Sequence, residues 1–151
     1  MMDKEYLQNY IEEHIPIVKE MDFSIVEING NEVMVEGPYE KHINHRNSIF
    51  GGSISSLLIL AGWTKMKLMM EKIDNNTSIV IQESNVKYLR PVLGDFVAIT
   101  KISEEIDMLK VEKIYKKFGK VRVNIEVFLK EKGKDEVLAE FIGSFVALKN
   151  E

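Results

Sequence analysis

The feature that most constrains the fold is a long apolar segment that begins at Gly52 and runs to about residue 72. Leu and Met dominate it, and apolar residues such as Ile54 and Leu57 recur over too great a length for a strand, so we predict one long helix. Its first half is apolar nearly all round, whereas its second half gains Lys65 and Lys67. We therefore expect protein to enclose the first half and the second half to emerge.

Shorter apolar segments on both sides of this helix predict strands. The N-terminus predicts an amphipathic helix over residues 3–14, ended by Pro16. Residues 23–28 and 32–36 flank an Asn-Gly pair at Asn29 and Gly30, which favours a hairpin turn. After the long helix, five strand-like segments follow at residues 78–89, 96–102, 108–118, 121–130 and 137–148. Their order predicts an α+β fold in which an antiparallel meander curves around the central helix.

Length, charge and cysteine content limit the function classes. The 151 residues fit one domain spanning residues 1–151, and a formal charge of −4 gives no broad positive field for nucleic acid or an anionic membrane. There is no cysteine, which excludes thiolate nucleophiles and zinc–thiolate sites and fits a cytoplasmic protein. The N-terminus does not resemble a secretory signal, and no apolar run is long enough to span a bilayer.

A polar segment, residues 38–52, leads into the central helix and ends with Gly51 and Gly52. A helix N-terminus offers free N–H donors and a partial positive charge, and glycines let a carbonyl oxygen approach them. This pattern is typical of an oxyanion hole, although a Gly-Gly pair can also serve only a sharp turn. For Ser53 and the serines that follow it, we expect helix capping rather than nucleophilic catalysis.

A second polar feature lies in the segment 82–96. Glu83 and Asn85 fall where the alternation from Ile79 and Ile81 predicts apolar side chains. They are therefore either outward-facing or functional.

The sequence resembles the hotdog-fold thioesterases, and within them the putative thioesterase domains sometimes fused behind acetyltransferase domains. The resemblance rests on NHRNSIFGGSISSLLILAGW, from Asn44 to Trp63, followed by QESNVKYLRPVLGDF, from Gln82 to Phe96. It implies a sheet wrapped around the central helix, a homodimer or a tetramer, and an acyl-CoA or acyl-carrier-protein thioester as substrate, with coenzyme A present only as part of that substrate.

The resemblance also implies site residues. The acyl carbonyl would bind at Gly51 or Gly52, and Asn44 matches an asparagine that positions the reacting water or carbonyl. Phe50 and Ser53 flank the glycines, and with them we assign substrate-binding roles to two residues of the second segment, Asn85 and Arg90, the latter as a contact for coenzyme A phosphates.

The sequence departs from that family pattern in its acid groups. Many relatives carry an Asp or Glu about two turns into the helix, where this chain has Ile59 between leucines, and a His where it has Phe50. A general base is still needed for hydrolysis, and Glu83 is our preferred candidate, ahead of His42 and His45. Two histidines three residues apart lack a third ligand, so we expect no metal site.

Three functions remain open at this level. The first is a thioesterase that uses Gly51, Gly52, Asn44 and Glu83. The second is a protein that binds acyl thioesters without turnover, which the missing helix acid favours. The third is a hotdog dehydratase or hydratase, but its chemistry needs a His and an acid, and the predicted helix of this chain offers neither.

Overall fold

The computed structural model describes residues 2–101 and 106–150. In chain order, its helices and strands are α1 Lys4–His14, α2 Ile17–Glu20, β1 Ser24–Asn29, β2 Glu32–Gly37, α3 Gly51–Glu71, β3 Thr77–Tyr88, β4 Phe96–Thr100, α4 Met108–Phe118, β5 Lys120–Glu131 and β6 Val137–Lys149.

One antiparallel sheet of six strands, in the order β1-β2-β4-β5-β6-β3, packs around α3. Leu57, Leu58 and Ala61 of α3 are completely buried against it. Gly62 lets the helix approach β6, because a Cβ atom there would lie 2.7 Å from the ring of the buried Phe145. This α+β arrangement is the hotdog fold, which confirms the predicted fold class.

The N-terminal helix and the first hairpin also form as predicted. Asp3 caps α1 by accepting a hydrogen bond from the Tyr6 N–H at 2.8 Å. Gly30 adopts a φ of 63° in the turn between β1 and β2. The side-chain amide of Gln8 on α1 donates to the Phe23 carbonyl at 3.0 Å and accepts from the Ile25 N–H at 2.8 Å, so α1 is bonded to the open edge of β1.

The second half of α3 does not emerge, and that expectation was wrong. Lys65 and Lys67 are only 1% and 3% exposed. The Lys65 ammonium lies 2.6 Å from the Glu32 carboxylate and donates to the Lys101 carbonyl at 2.7 Å. The Lys67 ammonium lies 3.2 Å from the Glu71 carboxylate. Because partners satisfy both charges, the apolar stems of these lysines can pack inside the fold.

Residues 108–118 form a helix, so the predicted strand there and the five-strand meander were wrong. Asp107 caps α4 by accepting from the N–H groups of Leu109 and Lys110, and Gly119 ends it at a φ of 72°. The buried Val111 and Tyr115 are four residues apart, which is a helical and not a strand period. Four strands therefore follow α3, and β3 lies at the edge of the sheet beside β6.

None of the helices in the described part of the chain combines the length and the apolar character needed to cross a membrane.

Candidate active site at the start of the central helix

The loop before α3 is fixed to its surroundings by backbone hydrogen bonds. The Phe50 N–H donates to the His42 carbonyl at 2.8 Å, and the Ile49 N–H donates to the Val92 carbonyl at 2.9 Å. Ile43 and Ile49 form an isolated antiparallel bridge. The loop therefore presents the start of α3 in a defined position.

Asn44 shapes this loop through its side chain. Its amide oxygen accepts from the Arg46 N–H at 2.9 Å and from the Ser48 N–H at 3.3 Å, and its amide nitrogen donates to the Ser48 hydroxyl at 3.1 Å. The side chain is half-buried in this turn. Its role in orienting a reacting water stays a prediction.

The N-terminus of α3 presents two free backbone donors. The N–H groups of Ser53 and Ile54 turn back to the Phe50 carbonyl, at 3.0 and 3.2 Å. Those of Gly51 and Gly52 have no acceptor among residues 2–101 and 106–150. Because the first N–H groups of a helix have no acceptor within it, these donors are available to a ligand.

Backbone conformation does not require glycine at either position. In the described chain, glycines with positive φ occur at Gly30, Gly119 and Gly133, so neither Gly51 nor Gly52 owes its presence to a left-handed turn. The structure therefore gives less support than the sequence did to the interpretation that the glycine pair serves only a sharp turn.

Two aromatic rings lie beside the glycines. A Cβ atom on Gly51 would lie 3.6 Å from the ring of Tyr88. A Cβ atom on Gly52 would overlap with the ring of Phe50. The Tyr88 hydroxyl donates to the Gly51 carbonyl at 3.1 Å. Tyr88 was missed as a site residue, although it lies in the segment from Gln82 to Phe96 that carries the resemblance.

Exposed apolar side chains occur in the loop before α3 and in residues 88–93, which are hydrogen-bonded to that loop and to Gly51, and we call them the apolar rim. The rim consists of Ile43, Phe50, Tyr88, Leu89 and Leu93, each 43–64% exposed. Such a cluster is a surface for an apolar ligand or a second protein surface.

Ser53 does not cap the helix, so that expectation was wrong. The cap residue is Phe50, which makes no side-chain capping bond. The Ser53 hydroxyl instead lies 2.7 Å from Nδ1 of His42, and both residues are buried. The described residues thus bring His42 and Ser53 together beside the two glycines.

A β-bulge determines where Glu83 and Asn85 lie. Ile81 pairs with Phe145 and Glu83 pairs with Ser144, so Gln82 is the extra residue. Their partners Phe145 and Ser144 are neighbours on β6 and point to opposite faces of the sheet, so Ile81 and Glu83 also point to opposite faces. Asn85 lies two residues after Glu83 and points to the same face as Glu83. Both polar side chains are exposed on the face turned away from α3.

On the same strand, the residue seen to contact the helix start is Tyr88, five residues or about 16 Å beyond Glu83. This placement does not support Glu83 as the base, and that role stays a prediction.

Arg90 is already paired in this structure. Its Nε lies 3.0 Å from the Glu136 carboxylate, and both side chains are exposed. An exposed pair of this kind contributes little to stability. Its assignment to a coenzyme A phosphate stays a prediction.

Comparison with known proteins identifies the family. Residues 4–149 match the model of a family described as a putative thioesterase (yiiD_Cterm). The chain belongs to this family.

Solved structures share the fold of this putative thioesterase family member. A protein of unknown function from Chlorobaculum tepidum TLS is 25% identical, with 97% of this chain and 94% of that chain covered and a TM-score of 0.89. A putative thioesterase from Shewanella oneidensis is 24% identical, with 96% of each chain covered and a TM-score of 0.82.

In this family member, the clearest pKa shift lies far from the glycines. Burial and the hydrogen bond to Asp74 raise the pKa of Tyr115 to about 12, and the same bond lowers the pKa of Asp74. This pair joins α4 to the chain just after the C-terminal end of α3. In the part of the chain that is described, no three His, Asp or Glu side chains gather as a metal site would require.

Proposed function

We propose that this protein hydrolyses acyl thioesters of coenzyme A or of an acyl-carrier protein at the N-terminus of α3. The observation that carries the proposal is the pair of N–H groups at Gly51 and Gly52, which have no acceptor in the described part of the chain and lie at the start of a helix enclosed by the sheet. Membership of a putative thioesterase family supports the same reaction class.

The two N–H groups suit the charge that develops during hydrolysis. When a nucleophile attacks a thioester carbonyl, its oxygen becomes an oxyanion, and the thiolate then leaves to give a carboxylic acid and a thiol. Donors fixed at a helix N-terminus stabilise that oxyanion without reorganising, and the helix dipole adds to the effect. Gly51 and Gly52 therefore act on the acyl carbonyl.

The apolar rim supports an acyl chain as the group next to that carbonyl. Phe50 is 59% exposed and Leu93 is 64% exposed, so contact with a hydrocarbon chain would remove apolar surface of both side chains from water and stabilise the complex. Asn44 in the loop and Arg90, two residues after β3, remain our candidates for positioning water and binding phosphate.

We also propose that the protein is a homodimer that pairs β3 with β3 of a second copy. This twelve-residue strand lies at the edge of the sheet, where long unpaired strands are uncommon in a monomer. Antiparallel pairing of two identical edges places both central helices on the same face of one continuous sheet. Sedimentation equilibrium tests this, since two chains of 17.4 kDa each are expected; a single-chain mass at every concentration would contradict the dimer.

Binding without turnover is the second candidate function. Two observations favour it: α3 carries no carboxylate before Glu71, and Glu83 faces away from α3. A carbonyl site without a base would hold a thioester and release it unchanged.

One assay separates the two functions. The purified protein is incubated with acyl-CoAs of graded chain length and with acyl-carrier protein, and free thiol is followed while calorimetry measures binding. Catalytic thiol release supports hydrolysis, and saturable binding without release supports the binding protein. Glu83→Gln and Asn44→Ala are assayed beside the wild type, and unchanged turnover in either variant removes that residue from the mechanism.

A further inference from the structure

A buried serine–histidine pair adjoins the two glycines. The Ser53 hydroxyl lies 2.7 Å from Nδ1 of His42, and Nε2 of the same ring lies 2.7 Å from the Met21 carbonyl. Ser53 is 9% exposed and His42 is 7% exposed. The pair therefore combines a nucleophile and a base that the mechanism above does not use.

The partners of the imidazole fix the direction of the hydrogen bond. A carbonyl oxygen only accepts, so Nε2 carries the proton that bonds to Met21. In the neutral ring, Nδ1 is then the acceptor, and the Ser53 hydroxyl donates to it. This is the arrangement in which an imidazole takes a proton from a serine hydroxyl.

Packing holds the imidazole in this orientation. Its ring stacks on Phe23, with centroids 5.1 Å apart, and lies nearly perpendicular to the Phe96 ring, with centroids 5.6 Å apart. The His42 carbonyl accepts from the Phe50 N–H, which joins the loop to the residue before Gly51. Base and nucleophile are thus fixed relative to the free N–H groups.

The position of Ser53 is also unusual for a serine at a helix start. Its own N–H is satisfied by the Phe50 carbonyl, and its hydroxyl makes no capping bond. It follows Gly52 directly and lies on the first turn of α3. A carbonyl whose oxygen binds the glycine N–H groups would have its carbon within reach of this turn.

We propose that Ser53 is the nucleophile of the thioesterase and His42 its general base, with an acyl-serine intermediate. Ser53 Oγ attacks the carbonyl carbon while its proton passes to His42 Nδ1. The C–S bond breaks, and the thiolate takes the proton from Nδ1. Water then attacks the ester carbon and gives a proton to Nδ1, the C–Oγ bond breaks, and Oγ recovers the proton, which releases the carboxylic acid.

This inference rests on the proposed hydrolysis, and the experiment distinguishes loss of the acyl-serine step from loss of hydrolysis itself. Wild type, Ser53→Ala and Ser56→Ala are compared for thiol release. Ser56 is the matched control, because it lies three residues further along α3 and its hydroxyl donates to the Gly52 carbonyl at 2.9 Å and not to His42. We expect Ser53→Ala to lose about 10³-fold or more of kcat and Ser56→Ala to keep wild-type turnover.

A direct measurement covers the case in which Ser53→Ala fails to fold. Wild type is mixed with acyl-CoA, quenched in acid within one turnover and digested, and mass spectrometry locates the acyl group. An acyl mass on the peptide containing Ser53, reduced in His42→Phe, supports the inference. Wild-type turnover with no acyl-peptide, or full turnover in folded Ser53→Ala, overturns it while hydrolysis stands. No thiol release by the wild type overturns both.

Discussion

Gly51→Pro removes one candidate oxyanion donor while leaving the helix able to form. Gly51 is the first residue of α3, where proline is favoured because its missing N–H would have no acceptor within the helix. Phe50 has a φ of −57° and a ψ of 132°, an extended conformation that a residue before proline readily adopts. The only intended change is the loss of the Gly51 N–H.

Gly51→Pro should slow turnover without lowering the stability of the fold. One oxyanion-hole donor contributes about 3 kcal/mol to the transition state, so kcat should fall about 10²-fold. Stability should stay level or rise by about 0.5 kcal/mol, because proline restricts the unfolded chain. A variant that is folded, stable and slow is therefore the predicted outcome.

Gly51→Ala is the matched control, because it adds a side chain and keeps the N–H. Its Cβ atom would lie 3.6 Å from the Tyr88 ring, which is ordinary van der Waals contact. Thiol release and urea unfolding are measured for both variants and the wild type. If Gly51→Pro turns over as fast as Gly51→Ala, the Gly51 N–H does not bind the carbonyl and the reasoning is refuted.

Three further predictions concern stability and are read by urea unfolding. Gly62→Ala should cost about 1–3 kcal/mol, because its methyl would lie 2.7 Å from the buried Phe145 ring; an unchanged midpoint would contradict the close packing. Asp107→Ala should cost about 1 kcal/mol through the lost cap of α4, and Asp107→Asn, which keeps a capping oxygen, should cost less. For Tyr115, the folded pKa of about 12 exceeds the unfolded value of 10.0, so its contribution is present below pH 10 and lost as pH rises to about 12. The wild type should weaken over that window more than Tyr115→Phe, and equal slopes would contradict the assignment.

The sequence was sufficient for the central helix, the first hairpin and the overall α+β architecture, because each depends on strong local patterns. The apolar run of α3 and the Asn-Gly turn at Gly30 are examples. Residues 108–118 were misassigned because the helical spacing of Val111 and Tyr115 and the Asp107 cap were overlooked. That error was avoidable from the sequence.

Other features depend on tertiary contacts and could not be predicted. A single extra residue at Gln82 reverses the face on which Glu83 lies, and nothing in a simple alternation indicates a bulge. Burial of Lys65 requires Glu32 from a distant strand. The bond between His42 and Ser53 joins residues eleven positions apart, and only the folded loop aligns them.

Gln8 has a consequence for how large an assembly of this chain can become. A sheet has two outer strands, here β1 and β3. The Gln8 amide imitates a neighbouring strand by bonding the Phe23 carbonyl and the Ile25 N–H, so it occupies two of the backbone groups that another chain would use at β1. Strand addition is therefore hindered at the start of β1 and not at β3. If two copies join at β3, each shields the other's open strand, which favours a closed pair over a fibre.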